Sequence, residues 1–113
     1  MSTGDLYWVE FPVRGGHAQA GRRPAIVVQS VAATVRLSTV LFMPLTTQLD
    51  ALRFPGTALV EVTAGNGLKR PSVALAFQLT AVDKQFIGID LGALSEAAKM
   101  AVQQALDSIM DRV

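Results

Sequence analysis

Two short polar segments of this 113-residue chain carry side chains that could act on an anion. The first is "GGHAQAGRRP", residues 15–24, which holds the single histidine, His17, and the adjacent arginines Arg22 and Arg23. The second is "PLTTQ", residues 44–48. An arginine stays charged and binds two phosphate oxygens at once, and a neutral imidazole accepts a proton near pH 7. Each segment stands at one end of an apolar run, so a buried strand would anchor it.

The apolar runs around these segments predict a mostly β protein whose strands are joined by local turns. Aromatic and β-branched residues favour a first strand over 6–11, which Pro12 ends, and a loop follows as far as Pro24. Further strands are predicted over 25–30, 38–45, 57–62 and 72–79, with a short extended piece over 86–94. Between the fourth and fifth runs, Asn66-Gly67 is a strong hairpin signal because both residues tolerate positive φ.

The last twenty residues change to a helical period. Apolar side chains recur one turn apart at Ala98, Val102, Leu106, Ile109 and Val113. Ser95 is the expected N-cap, and Glu96 would place a negative charge in the first turn, where the helix dipole favours it. A terminal helix packed on a sheet of five to seven strands predicts one α+β domain over residues 1–113, built as a small SH3-like barrel or half-barrel.

Composition excludes several functional classes. The chain has no cysteine and one histidine, so neither a disulfide framework nor a transition-metal site is expected, and no cofactor motif is present. The fragment "GNGLKR" lacks the third glycine of a dinucleotide fingerprint, and no G-x-S-x-G occurs. With neither a signal peptide nor a membrane-spanning run, a cytoplasmic protein is expected. A net charge of +1 and a pI near 8.2 are too weak to indicate nucleic-acid binding by themselves.

In order and spacing, the segments "GDLYWVEF", "GHAQAGRRPAIVV", "VLFMPLTTQ", "FPGTALVEV" and "SVALAFQL" resemble the MazF/PemK family of toxin endoribonucleases. The resemblance covers residues 4 to about 82 and, more weakly, the terminal helix. It implies an SH3-like barrel, a symmetric homodimer, and metal-independent cleavage of single-stranded RNA to 2′,3′-cyclic phosphate and 5′-hydroxyl ends. It further implies a toxin of a type II toxin-antitoxin system, inhibited by an antitoxin that we expect to have a disordered acidic tail.

Three catalytic candidates come from this resemblance. The family's arginine before proline corresponds to Arg23, which would stabilise the negative charge on the phosphate. Its threonine after the third strand corresponds to Thr46, although the neighbouring Thr47 could exchange roles with it. Many members carry a glutamate where this chain has Ala18, and His17 is the expected substitute as base or acid.

Other residues are weaker candidates, each with a plain structural alternative. In the PemK branch an arginine and an aspartate act in the fifth strand, whereas this chain has Leu75 and Phe77, so those roles do not transfer. One of Tyr7 and Trp8 is expected in the core, and the other could stack a base or join a dimer seam. Possible RNA contacts, which could equally orient loops or be solvated, are Gln19, Arg22, Thr47, Gln48, Lys69 and Arg70. A non-enzymatic binding module is the alternative function, because the related gyrase-poisoning toxins share this barrel.

Overall fold

The computed structural model describes residues 1–11 and 21–111. Within that part of the chain, seven strands and two α-helices follow one another, with three short 3₁₀ segments between them. The strands are β1 (Asp5–Phe11), β2 (Gly21–Val27), β3 (Thr39–Thr46), β4 (Thr57–Val60), β5 (Ser72–Leu75), β6 (Thr80–Asp83) and β7 (Ile87–Ala93). The helices are α1 (Val31–Arg36) and α2 (Glu96–Ile109), and the 3₁₀ segments are Leu49–Arg53, Ala76–Gln78 and Lys84–Phe86.

The strands form an antiparallel sheet in the order β4-β5-β3-β2-β1-β7, and β6 pairs with the first half of β3. Among the described residues β4 and β7 do not pair with each other, so the sheet is open at these two edges. The prediction of a mostly β fold with a C-terminal helix is confirmed, and the barrel is an incomplete one.

Each face of the sheet has its own apolar cluster, because successive side chains of a strand point to opposite faces. Helix α2 covers one face, where Val102 and Ala105 pack with Leu6, Ile26, Met43, Leu45 and Val60. The other face buries Val9, Phe11, Ala25, Val27, Val40, Phe42 and Val82. Arg23 belongs to this second face, since it lies two residues before Ala25 on β2.

Strand β2 begins at Gly21, four residues earlier than the sequence predicts, so both arginines belong to the strand rather than to a loop. Pro24 does not interrupt it. The ladder between β2 and β3 starts at Ala25, and Pro24 therefore lies where β2 is paired with β1 alone. Pro44 pairs with Ala25 of β2, and on the other edge of β3 it lies between the residues that pair with β6 and those that pair with β5. At each proline one edge of the strand has no paired neighbour, which is where a missing N–H is tolerated.

Strand β5 ends at Leu75, and the predicted extension to residue 79 is wrong. Leu75 pairs with Thr57, the first residue of β4, and β3 pairs no farther along β5 than Ala74. A longer β5 would run past the start of β4, and the next residue of β3 beside it is Pro44, which has no N–H to donate. The chain instead turns through Ala76–Gln78 and pairs with β3 again as β6. This turn leaves Phe77 43% exposed at the end of a fully buried strand.

The segment between β4 and β5 is a long loop, and the expected two-residue turn at Asn66-Gly67 is not formed. Gly67 has a φ of +67°, but Asn66 does not adopt positive φ. The Asn66 side chain is 1% exposed and bonds to the loop's own backbone. The loop then reaches β7, where the Ala93 N–H donates to the Gly65 carbonyl at 2.9 Å. This contact links the two ends of the open sheet.

Helix α2 starts as predicted, with Ser95 as its N-cap: the Ser95 Oγ accepts from the Ala98 N–H at 3.2 Å. We expect Ser95→Ala to lower the free energy of unfolding by about 1 kcal/mol, because one N–H of the first turn loses its partner. Urea denaturation measures this change. Ser95→Asp is the control, and it should retain the parent stability because a carboxylate accepts the same hydrogen bond. Equal stability of the alanine variant and the parent would contradict a capping role.

Candidate nucleic-acid interface

Arg23 lies on β2 directly across from Val9 of β1. Its side chain is half-buried, and its Nε is fully buried without a hydrogen-bond partner. Within residues 1–11 and 21–111, no carboxylate lies within 4 Å of its guanidinium. A guanidinium without an internal anion keeps its capacity to bind an external one.

Thr46 is the last residue of β3 and is 8% exposed. Its Oγ1 accepts a hydrogen bond from the Gln48 N–H at 3.2 Å, which fixes the hydroxyl at the strand end. Because this oxygen is the acceptor, its own proton remains available to donate to another group.

Strand register relates Thr46 to Arg23. Ala25 pairs with Pro44 and Val27 pairs with Phe42, and the ladder ends at Ala25. Continuing the same spacing by two residues sets Arg23 across from Thr46, and side chains two apart on a strand share a face. The two candidates that sequence analysis put first therefore project from the same face of neighbouring strands.

Thr46 opens onto a cleft of about 430 Å³, which we call the Thr46 cleft. Its lining residues are Thr46, Gln48, Asp50, Ala51, Phe54, Leu75, Phe77 and Gln78. Of the candidates predicted from sequence, Thr46 and Gln48 belong to this lining, whereas Arg23, Thr47, Lys69 and Arg70 do not. Among the described residues, the walls are apolar and aromatic, the polar groups are a hydroxyl and two amides, and the one charged lining residue, Asp50, is acidic.

The aromatic side of the cleft was missed by sequence analysis. The rings of Phe54 and Phe77 meet edge to face with centroids 6.0 Å apart, and the Arg53 guanidinium carbon lies 4.8 Å from the centre of the Phe54 ring. Beside them, Gln78 has a buried Oε1 with no hydrogen-bond partner. The sequence signal for Phe77 and Gln78 would have been their place just after a buried strand, as for "PLTTQ", but the predicted strand ran through both.

Arg22 lies on the opposite face from Arg23 because adjacent strand residues alternate. Its guanidinium carbon is 5.8 Å from the centre of the Trp8 ring, a cation–π contact, and Glu10 is its partner across the ladder. These three residues line a groove of about 220 Å³ together with Gln85, Phe86, Ile87 and Gly88. The two adjacent arginines thus serve different surfaces.

Tyr7, next to Trp8, packs edge to face on buried Phe42 at 6.4 Å. Burial raises the pKa of its phenol, and the nearby carboxylates Asp90 and Asp5 raise it further. Tyr7 is therefore the one of the pair that packs against the second apolar cluster.

The remaining candidates lie apart from the cleft or cannot be placed. Lys69 and Arg70 are exposed in the loop between β4 and β5, and Thr47 is exposed beside Thr46. His17 and Gln19, with Ala18 between them, lie outside the described residues.

Residues 1–11 and 21–111 hold no cluster of three or more histidine, cysteine, aspartate or glutamate side chains able to bind a metal ion. No helix in that part of the chain is both long enough and apolar enough to cross a membrane.

The sequence matches a family model over residues 2–110, and the model describes a PemK-like, MazF-like toxin of type II toxin-antitoxin systems. The chain belongs to this family. As a family member, it shares 37% identity over 79 residues with the Escherichia coli endoribonuclease toxin MazF, an alignment that covers 70% of this chain and 65% of the relative. It shares 29% identity over 107 residues with Bacillus subtilis endoribonuclease EndoA, covering 94% of this chain and 90% of that one.

A solved structure of MazF from Deinococcus radiodurans superposes on this PemK/MazF-family chain with a TM-score of 0.82. The superposition covers 98% of this chain and 96% of that one at 24% sequence identity. This similarity establishes that the two share a fold.

Proposed function

We propose that this chain is the toxin of a type II toxin-antitoxin system and a metal-independent endoribonuclease that cuts single-stranded RNA such as mRNA in the cytoplasm. The observation that carries the proposal is the placement of Arg23 and Thr46 on one face of adjacent strands, with Arg23 free of any internal carboxylate among the described residues. Family membership and the endoribonuclease relatives support the same activity.

The proposed reaction is attack of a ribose 2′-hydroxyl on the adjacent phosphorus. The new P–O2′ bond forms as the P–O5′ bond breaks, which leaves a 2′,3′-cyclic phosphate and a free 5′-hydroxyl. The 2′-hydroxyl loses a proton to a base, and the departing O5′ gains one. Negative charge accumulates on the phosphate oxygens while these bonds form and break, and stabilising that charge is usually the largest single contribution of a protein to such a reaction.

Arg23 and Thr46 supply that stabilisation in our proposal. The planar guanidinium of Arg23 binds two phosphate oxygens, and the free hydroxyl proton of Thr46 donates to the same phosphate. His17 is the candidate for proton transfer, because an imidazole with an ordinary pKa near 6.5 exists in both forms at neutral pH. Arg22, on the opposite face, would contact the RNA backbone beyond the cleavage site.

We further propose two protein partners for the toxin domain formed by residues 1–113. A second copy would complete a homodimer, so that RNA crosses a groove made by both subunits. An antitoxin with a disordered acidic tail would inhibit cleavage, as expected for a toxin of this family. Such a tail would compete with phosphate for Arg23, and its binding should weaken as salt rises.

The test is direct. Purified protein incubated with a long single-stranded RNA in excess EDTA should cut it at short specific sequences, and mass spectrometry should find cyclic phosphate and 5′-hydroxyl ends. Loss of cleavage in EDTA would overturn metal independence, and linear 3′-phosphates from the first time point would overturn the proposed attack. Intact RNA together with gyrase-dependent growth arrest would replace the nuclease with a non-enzymatic toxin.

A further inference from the structure

We infer that Asn66-Gly67 is a covalent modification site: when the loop between β4 and β5 opens, Asn66 deamidates, and the product prevents the loop from closing again. The reaction needs water and no enzyme. It converts a transient opening of the fold into a permanent change of the chain. This property is independent of the proposed nuclease activity, and Asn66 is the only asparagine in the sequence.

The reaction is an attack of the backbone nitrogen of Gly67 on the side-chain carbonyl carbon of Asn66. Hydroxide takes the proton from the Gly67 N–H, the new N–Cγ bond forms, the Cγ–Nδ2 bond breaks, and the amide nitrogen takes a proton from water and leaves as ammonia. Water then hydrolyses the cyclic imide at either of its carbonyl carbons, which gives aspartate or isoaspartate. Glycine in the second position hinders this attack least, because it has no side chain.

The fold requires both members of this labile pair. Gly67 has a φ of +67°, and a Cβ at this position would collide with the carbonyl oxygen of Leu91 in β7, so a larger residue does not fit. Asn66 satisfies three backbone groups of the loop, two through its Oδ1 and one through its Nδ2. The two residues that hold this loop in place are therefore also the pair most open to attack.

In the closed loop the pair is protected. Asn66 is 1% exposed, so water reaches little of its side-chain amide. Attack by the Gly67 nitrogen also requires this amide to rotate, because a nucleophile approaches a carbonyl carbon from above or below the amide plane. Rotation would break the hydrogen bonds to the Glu61 carbonyl at 2.9 Å and from the Leu68 N–H at 3.1 Å. We therefore expect reaction only after the loop opens.

Few side chains tie this loop to the rest of the protein. Of residues 61–71, only Asn66 and Leu68 are buried. Leu68 packs into the apolar cluster beneath α2, and Gly65 accepts the hydrogen bond from Ala93 of β7. A segment with one apolar side chain in the core opens more readily than the sheet as a whole. Opening of the loop alone would therefore expose Asn66 while the sheet stays folded.

The product cannot replace asparagine in the closed loop. A carboxylate at this position has no donor for the Glu61 carbonyl, and closing the loop would bury its negative charge. Isoaspartate also lengthens the main chain, which displaces Gly67 from its close fit on β7. Each opening that leads to reaction therefore removes the link between this loop and β7 permanently.

The experiment follows the exchange of amide for carboxyl by intact-protein mass spectrometry in mildly alkaline buffer. The full chain is incubated folded and, in parallel, unfolded in guanidinium chloride. Because the sequence has one asparagine, the mass change reports chiefly on Asn66, and peptide mapping locates it. The folded protein should react at least roughly 100-fold more slowly than the unfolded chain. Asn66→Gln, unfolded in the same way, gives the background from the glutamines, which cyclise more slowly.

Two matched variants separate opening of the loop from unfolding of the whole chain. Leu68→Val removes a methylene group from the loop's side chain in the cluster beneath α2, and Ile26→Val removes one from β2 in the same cluster. Leu68→Val should raise the ratio of folded to unfolded reaction rates by roughly 3- to 10-fold. Ile26→Val should change this ratio by less than about twofold, because β2 stays folded when the loop opens. In the parent, denaturant below the unfolding transition should raise the rate with a smaller slope than that of global unfolding.

The deamidated protein, separated from the parent by ion exchange, should unfold at a lower urea concentration and exchange the Ala93 amide hydrogen faster. Parent-like stability of this species would overturn the inference. So would equal reaction rates in the folded and unfolded protein, no reaction in the unfolded chain, or equal acceleration by Leu68→Val and Ile26→Val. RNA cleavage by the parent does not depend on any of these results, so the proposed function is tested separately.

Discussion

Replacing Arg23 by alanine should lower kcat/KM for RNA cleavage by roughly 100- to 1,000-fold, because in the proposed mechanism Arg23 donates to the negative charge that develops on the phosphate. The fold should not suffer. The Arg23 Nε is buried without a partner, and the side chain has no ion pair among the described residues, so its removal breaks no salt bridge within residues 1–11 and 21–111. We therefore expect a thermal midpoint equal to that of the parent or slightly higher. Single-turnover cleavage and thermal denaturation of the same preparation measure both effects.

Two further variants separate charge and geometry in this test. Arg23→Lys keeps the positive charge without the planar fork, and it should recover only a small part of the lost rate. Arg36→Ala removes an exposed arginine of α1 and should cleave at the parent rate. Parent-like cleavage by Arg23→Ala would remove Arg23 from the mechanism. A large fall in its thermal midpoint would instead show that the side chain stabilises β2.

Local pattern was sufficient for most of the sheet and for the terminal helix. The runs that became β1, β3 and β4 alternate or continue in apolar residues, and their bounds differ from the predictions by at most two residues. Helix α2 could be predicted because its apolar positions recur with a helical period and Ser95 is a favourable N-cap. In such segments the same residues determine both local conformation and burial.

The errors in the predicted ends of β2 and β5 arise because a strand's end depends on its pairing partners, which the local sequence does not specify. β5 stops at Leu75 because β4 begins at its partner Thr57 and the next residue of β3 is Pro44, which has no N–H to donate. Gly21 joins β2 because Phe11 of β1 pairs with it. The sequence predicts that Pro24 begins a strand. In the structure Pro24 lies inside β2, at a position that pairs with β1 but not with β3. Strand ends depend on neighbours far away in sequence, so proline and glycine signals alone place them poorly.

The residues of the candidate site also fall into two groups, those that the sequence predicts and those that it does not. Resemblance selected Arg23 and Thr46, and strand register now provides the reason they share a face. Alternation also separates Arg22 from Arg23, although the sequence presents them as one basic pair. The sequence could not place Phe77 and Gln78 in the Thr46 cleft, because it predicts a strand over residues 72–79 where the structure has the 3₁₀ turn Ala76–Gln78. Residues that line a cleft at the end of a strand can be identified from sequence only when the position of that strand end is predicted correctly.

The loop between β4 and β5 should depend on one buried side chain, Asn66. Its Oδ1 accepts from the N–H groups of Thr63 at 3.3 Å and Leu68 at 3.1 Å, and its Nδ2 donates to the Glu61 carbonyl at 2.9 Å. Asn66→Ala leaves all three backbone groups without this partner. We expect the free energy of unfolding to fall by about 2–4 kcal/mol, since unpaired buried polar groups cost about 1–3 kcal/mol each and water can reach some of them. Urea denaturation measures the change.

The same variant should loosen the link between the two ends of the open sheet. Gly65, next to Asn66, accepts the hydrogen bond from Ala93 of β7, so hydrogen exchange at the Ala93 amide should accelerate more in Asn66→Ala than exchange in the centre of β3. Asn66→Asp separates the two halves of the amide: it keeps the acceptor, loses the donor to Glu61 and buries a charge, so it should also be destabilised. Thr63→Ala is the control, because the exposed Thr63 contributes its backbone N–H and keeps it in the variant. If Asn66→Ala stays within about 0.5 kcal/mol of the parent, other contacts of the loop hold β4 and β7 together, and the side chain is not what closes this edge of the sheet.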